Sequence, residues 1–275
     1  MVLLCSLGEA FRPQGASLKP PGLLINQDTL EYLISKNAGA LGGKRNVEAI
    51  RSIVRVRGSG NTITIQQFKP YRGIAVFVID TVNWKIRYAE GANAEYYWEQ
   101  HGADSARQIV KGRPDTAIWQ TRQNPENLFL PFYKMRQQGH KIEYSGREMV
   151  EEINYYLLTT TLSNGSTSLW YLNPNSFQIE RNRGFRRHHA YQPNVRHIET
   201  VWKDFRNINN VVIPFIEQER DMDSGEVLSG GKPSMSVEFD IPIDESDLSL
   251  NGSPDKWINY LKNVLAKKNE NKNPR

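Results

Sequence analysis

Beyond Gly58 the chain is composed almost wholly of short β-branched and aromatic runs separated by Gly, Asn, Asp and Pro. The runs are "NTITIQQF", "GIAVFVID", "WKIRYAEG", "AEYYWEQ", "HKIEYSGREMV", "NYYLLTTTL", "TSLWYLNP", "FQIERNRG", "RHIETVWKDF", "VVIPFIEQERD" and "SMSVEFDIPID". Apolar residues recurring with a period of two read as strands, and close spacing with turn residues between them reads as a meandering antiparallel sheet. The sequence therefore predicts an α+β, mostly β fold of about eleven strands. The sharpest hairpin signal is Asn164-Gly165, because both residues tolerate the positive φ of a tight turn. No repeat with a period of 20 to 50 residues is visible, which argues against a propeller or solenoid.

Helical periodicity occurs in three places. In "INQDTLEYLISKNAGALGG" Leu30, Leu33 and Ile34 fall on one face behind Asp28 as N-cap, and Gly42-Gly43 suits the C-terminus. A short turn, "KRNVEAIRSI", then leads into the strand "IVRVRGSG", where the period switches from 3.6 to 2. Mid-chain, "NPENLFLPFYKMRQQGH" carries Leu128, Leu130, Phe132 and Tyr133 ahead of a Gly139 stop. Near the C-terminus Ser253 and Pro254 open an amphipathic helix with Trp257, Leu261, Val264 and Leu265 on its stripe, followed by a basic tail.

With 275 residues and a 39% hydrophobic share, the chain can bury a sizeable core. Thirty-five basic against thirty acidic residues leave a mixed surface with a net charge of +5, a weak bias toward anionic partners. One Cys and five His exclude an intramolecular disulfide and a Cys-rich zinc site. Cys5 lies in the apolar stretch "VLLCSL", too short to span a bilayer and followed by the small-x-small pattern Gly8-Glu9-Ala10. Residues 1–23 read either as an incomplete signal peptide with a Pro/Gly-rich linker or as an ordinary N-terminal segment.

Three blocks carry a family resemblance. "AGALGGKRNVEAIRSIVRVRG" has a helix ending in Ala-x-Gly-Gly before an Ile-rich turn and a strand closing on Gly. The central block carries Gly139-His140-Lys141, Gly146-Arg147-Glu148, Tyr156-x-Leu158, Asn164-Gly165 and Tyr171-Leu172-Asn173-Pro174. "WKDFRNINNVVIPFIEQE" closes the series with an aromatic-Arg pair, a turn and a Pro-aromatic pair. In order and spacing they resemble the LolA-like family of lipoprotein carriers, outer-membrane lipoprotein receptors and lipoprotein-sorting proteins, over roughly residues 30 to 245. The sequence departs from the family pattern at Asn173, where Asp is usual, and at "VEEI" and "NINN", where the turns usually carry Gly. The basic segment from Arg181 to His197 and the C-terminal helix look like additions.

The resemblance implies a strongly curved antiparallel sheet, an incomplete barrel, over residues 24–250. The N-terminal helix and the mid-chain insertion would cover its concave face, with residues 251–275 as a C-terminal helix and tail. It also implies a periplasmic carrier that holds an acyl chain, a lipoprotein or another hydrophobic ligand against that face. Every second strand residue lines such a surface. The corresponding candidates are Trp98, Phe129, Phe132, Tyr156, Leu158, Leu162, Trp170, Leu172 and Phe239, each of which would equally serve as plain core.

Arg181, Arg183, Arg186 and Arg187, with His188 and His189, form the densest basic cluster, a candidate contact for phospholipid head groups or an anionic envelope protein and otherwise a solvated hairpin. Aromatic residues do not interleave with these cations, which disfavours nucleic acid. No carboxylate or Cys stands near the histidines at metal-ligand spacing. No nucleophile elbow, phosphate loop or HExxH pair is present, so neither a catalytic set nor a cofactor is expected. Two other function classes stay open: a protein-interaction or regulatory module of the cell envelope, and a cofactor-free enzyme using the same cavity.

Overall fold

The computed structural model describes residues 27–59, 61–69, 73–93, 96–106, 108–109, 132–137, 139–162, 165–186, 195–249 and 252–270. Helix α1 (Gln27–Ala40) and the short α2 (Lys44–Ala49) precede strands β1 (Ile53–Ser59), β2 (Thr62–Lys69), β3 (Gly73–Asp80), β4 (Lys85–Asn93), β5 (Tyr97–His101) and β6 (Gln108–Ile109). Helix α3 (Phe132–Gln137) leads into β7 (Lys141–Val150), β8 (Ile153–Thr161), β9 (Thr167–Leu172), β10 (Ile179–Arg186), β11 (Arg196–Ile208), β12 (Val211–Asp221), β13 (Val227–Gly230) and β14 (Ser236–Phe239). A 3-10 turn at Glu245–Leu248 and helix α4 (Asp255–Glu270) complete the described chain.

The strands form two antiparallel sheets of seven, β14-β1-β2-β3-β4-β5-β6 and β13-β12-β11-β10-β9-β8-β7, rather than one sheet of about eleven. The additional strands, β6 and β13, span two and four residues, too short to show an alternation. The sheets meet where the chain passes from β13 to β14. There Gly231 N donates to Glu217 O and Ser234 N to Phe215 O on β12, and Met235 N donates to Val56 O on β1. Gly230 enables this crossing: its φ is +79°, and a Cβ there would lie 1.9 Å from Glu217 O. A strand that switches sheets at a bend makes such a corner.

Register defines two sides. Ile53 and Arg55 share one side of β1 with Val237 and Phe239 of β14, which pair with them. On this side Ile53 packs against Val211, Ile213 and Phe215 of β12. The same side of the second sheet carries Ile142, Leu158, Trp170, Leu172 and Trp202, and α1 and α3 pack on it through Leu33, Ile34, Ala38, Phe132 and Met135. The opposite side of the first sheet presents Val54, Val56, Ile65, Ala75, Phe77 and Trp98, and α4 covers it with Trp257 and Leu261. The C-terminal helix is therefore part of a core, on the side away from α1.

Local chemistry sets the element ends. Gly42 N donates to Gly39 O and Gly43 N to Ala38 O, the paired bonds of a Schellman stop. At Gly139 the φ is +83°, and Gly139 N and His140 N donate back to Arg136 O and Met135 O to close α3. Asp255 N donates to Ser253 Oγ at the start of α4, as an N-cap requires. The side chain of Asp28 and the residues Asn164, Leu128 and Leu130 lie outside what is described, but the β8–β9 hairpin closes with Leu162 N on Ser166 O and with Gly165 at φ +83°. The two turns lacking Gly keep left-handed backbones: Glu151 and Glu152 have φ of 48° and 68°, and Asn209 and Asn210 have 49° and 66°. Asn adopts that region readily, and Asn207 Oδ1 accepts from Asn210 N at 2.9 Å.

Candidate functional site

The aliphatic stretch closing α1 docks on the β11–β12 hairpin. Val212 N donates to Leu41 O at 3.1 Å, and Gly42 approaches so closely that a Cβ would lie 1.9 Å from Asn210 O. Helix α2 then crosses the junction of the sheets without burying any of its six residues. Beneath it lies an apolar cleft lined by Leu41, Val47, Ile50, Ile53, Val211, Val212 and Ile213. It measures about 320 Å³ with the solvent at its mouth and has room within for about one water-sized body. Phe215, Val237 and Phe239 continue the apolar cluster inward.

The strand positions next along this junction are charged. Arg55, 1% exposed, donates to Glu217 Oε2 at 3.2 Å and to Pro214 O at 3.2 Å. Arg57 donates to Glu217 Oε1 at 2.9 Å, and Trp202 Nε1 to Oε2 at 3.3 Å. Burial acts to raise the Glu217 pKa, but Arg57 and Arg55 outweigh it and hold the carboxyl below its ordinary range. Burial, with the neighbouring Arg57 charge, lowers the Arg55 pKa against the pull of Glu217. The junction thus runs from an aliphatic end under α2 to an ion-paired end. The alternation of Arg55 and Arg57 with valines is visible in the strand text; their partner Glu217, 160 residues beyond Arg57, has no local signal.

The predicted ligand residues separate into three groups. Phe132 on α3, and Leu158, Trp170 and Leu172 beneath α1 and α3, are within 1% of full burial. Trp170 stacks on Trp202 at 6.1 Å and donates to Thr160 Oγ1 at 2.8 Å, Leu162 is buried just past β8, and Tyr156 is only half-buried at the rim. Phe239 belongs to the cluster under α2. Trp98 does not join them: it faces the α4 side, lies over Gly91 and donates to Leu248 O at 3.0 Å. Its parity in β5 sets that side, because Trp98 pairs with Gly91, whose missing side chain makes room for the indole. Phe129 lies outside the described residues.

Two of the predicted anion-contact arginines serve an internal network on the far side of the second sheet. Glu199, fully buried, is met by Arg183 at 2.9 Å, Arg220 at 2.6 Å and Arg181 at 3.5 Å. Arg183 also donates to Glu148 at 3.0 Å and to the Tyr171 hydroxyl at 2.6 Å, and Arg181 pairs with Glu151. Burial would raise the Glu199 pKa, but Arg183, Arg220 and Arg181 hold it below the ordinary value; burial pushes the Tyr171 hydroxyl up to about 12. The expected solvated arginines Arg181 and Arg183 are thus largely enclosed and neutralised by acids that strand pairing brings opposite them. The side chain of Arg186 and residues Arg187, His188 and His189 lie outside the described part.

Among the described residues no group of three or more His, Cys, Asp or Glu could hold a metal ion, and no helix is long and apolar enough to cross a membrane.

No protein-family model matches the chain, and no curated protein matches it. Solved structures similar to it include a DUF1329 family protein from Desulfovibrio piger, at 10% identity over 80% of this chain and 96% of that one, with a TM-score of 0.48. A LolA superfamily protein from Nitrosomonas europaea shares 12% identity over 78% of this chain and 97% of its own, with a TM-score of 0.47. An outer membrane lipoprotein-sorting protein domain from Vibrio parahaemolyticus shares 9% over 74% and 88%, also at 0.47. The last two descriptions name the group that the sequence landmarks resemble.

Proposed function

We propose that this chain is a non-enzymatic binding protein that carries an acyl chain or a similar amphiphile at the junction of its two sheets. The observation that supports this reading is the polarity of that junction. Seven aliphatic side chains line its open end beneath α2, and the Arg55–Glu217–Arg57 group lies next along the same strand faces. Ligand sites commonly combine an apolar wall with a few placed polar groups.

The cleft has room for about one water-sized body in the state described, so α2 must move to admit a chain. Its displacement parts the half-buried Val47 and Ile50 from the buried Ile53, Val211 and Ile213 beneath them, and an acyl chain taken in covers these apolar surfaces again, each methylene contributing about 0.8 kcal/mol. The sequence resemblance to lipoprotein carriers favours an acyl chain as ligand and envelope lipid handling as the setting.

Native mass spectrometry of the purified chain should reveal co-purified lipid, and the delipidated protein should take up a fluorescent fatty acid. Val47→Asp puts a carboxylate in the apolar cleft at a half-buried position and should weaken uptake at least tenfold, with an unchanged urea midpoint verifying the fold. Uptake that is absent, or unaffected by this substitution, would overturn the reading.

A further inference from the structure

Arg181 and Arg183 are engaged internally, and two other cations are placed differently. Lys36 of α1 and Arg147 of β7 are both exposed, and among the described residues neither meets a carboxylate; their contacts are with aromatic rings alone. The Arg147 guanidinium sits 4.1 Å from the centre of the Tyr156 ring. Tyr156 stacks with Phe177 at 6.3 Å and 14°, and Phe177 meets the edge of Tyr32 at 5.9 Å and 83°. Lys36 Nζ closes the row, 5.7 Å from Phe177 and 5.4 Å from Tyr32.

Backbone bonds hold the row in place. Phe177 has a φ of +56°, a strained conformation for a bulky residue. Its carbonyl accepts from Nδ2 of the buried Asn37 at 3.1 Å, and its N–H donates to Asn173 O at 2.9 Å. Asn173 Oδ1 in turn accepts from Asn175 N and Ser176 N. The turn and α1 together thus fix the Phe177 ring between Tyr156 and Tyr32. On the same strand face as Arg147, one step toward the β7–β8 turn, Met149 is 63% exposed, and Tyr32 is 49% exposed.

We propose that this patch, Tyr32, Lys36, Arg147, Met149, Tyr156 and Phe177, seats the protein on a membrane surface rich in anionic lipid. Tyrosine rings suit the headgroup layer, where one end is apolar and the other wet. Lys and Arg reach past such rings to phosphates, keeping their stems on apolar surface. Two cations that meet no carboxylate among the described residues complement a negative surface. The site lies on the α1 side, outside the cleft, so docking and ligand uptake are separable.

The test is co-sedimentation of the full chain with vesicles of phosphatidylcholine alone or with about 30 mol% phosphatidylglycerol. Binding should appear on the anionic vesicles and fall as salt rises. Each basic residue near such a surface contributes enough to shift partitioning about fivefold, so the double variant Lys36→Gln/Arg147→Gln should lose about 30-fold. Tyr32→Ser should weaken binding with the charges intact. Both substitutions fall on exposed side chains, and an unchanged urea midpoint will verify the fold. The control Lys262→Gln/Lys267→Gln on α4 removes the same charge and should bind as the parent does. Equal losses in patch and control variants, no binding to the anionic vesicles, or a single-stranded oligonucleotide that binds through Lys36 and Arg147 where vesicles do not, would each overturn the proposal. Fatty-acid uptake by the double variant should stay at the parental level, which separates this result from the fate of the cleft.

Discussion

Adjacent glycines close α1, and the structure assigns them unequal work. Both have positive φ, 101° at Gly42 and 87° at Gly43, but a Cβ at Gly43 meets nothing within 4 Å while one at Gly42 falls 1.9 Å from Asn210 O and 3.2 Å from Val211 Cα. Gly43→Ala therefore costs only the backbone penalty, about 1–3 kcal/mol. Gly42→Ala carries that penalty and must also push α1 off the hairpin. Doing so removes the Val212 N to Leu41 O bond, about 1 kcal/mol. It also opens part of the contact made by Leu41, now 4% exposed, for about 1 kcal/mol more. The sum is roughly 3–5 kcal/mol. Urea unfolding followed by far-ultraviolet circular dichroism and tryptophan fluorescence will compare the two variants, and coincident transitions will license the two-state treatment. In thermal scans the expected shifts in Tm are a few degrees for Gly43→Ala and about 10 °C for Gly42→Ala. Should both unfold at the same urea concentration, the close approach to Asn210 contributes nothing and the docking of α1 has been misjudged.

Further consequences can be checked by the same means. Glu199→Gln leaves three arginines around a neutral group and should cost about 3–5 kcal/mol. Because the Glu199 pKa is depressed from 4.5, its stabilisation is fully present above that pH and is lost as pH falls through the folded value; the urea midpoint of the parent should drop on acidification more steeply than that of the variant. Removing residues from Asp255 onward bares the side of the first sheet on which Trp257 and Leu261 are now 1% and 0% exposed, a loss of at least about 4 kcal/mol; an unchanged midpoint would show α4 to be a mere appendage. Asn37→Ala orphans the Phe177 carbonyl and the Phe132 amide, for about 1–3 kcal/mol, and equal stability would show that water replaces both bonds.

Much of the framework was legible along the chain. Period-two runs marked the long strands, Leu33 and Ile34 marked the buried face of α1, and Ser253, Gly42 and Gly139 marked helix ends, because each of these depends on neighbours a few residues away. Strands β6 and β13 carried too few residues for a pattern. The candidate site was legible only in part. Tyr156, Leu158 and Trp170 were assigned to a common face correctly by alternation, but alternation cannot say whether helices press on that face, and α1 and α3 turn Leu158 and Trp170 into core. Trp98 lies on the other side because its five-residue strand pairs only within the first sheet and offered no parity reference to the second.

The arginines show the same division most sharply. Their density between Arg181 and Arg196 is a property of the sequence, and from it a solvated basic hairpin was the natural expectation. Whether a cation is neutralised depends on what lies opposite it, and Glu148, Glu151 and Glu199 reach Arg181 and Arg183 only through strand pairing and the turn beyond. Conversely, nothing local distinguishes Lys36 and Arg147, which among the described residues meet aromatic rings and no carboxylate. The sequence by itself determined the kinds of element, their ends and the alternation of their faces, since those follow from local sterics and periodicity. Only the tertiary structure decided which face became core, which ion pairs closed and where an apolar cleft stayed open, since those depend on groups far apart in the chain being brought within a few ångströms.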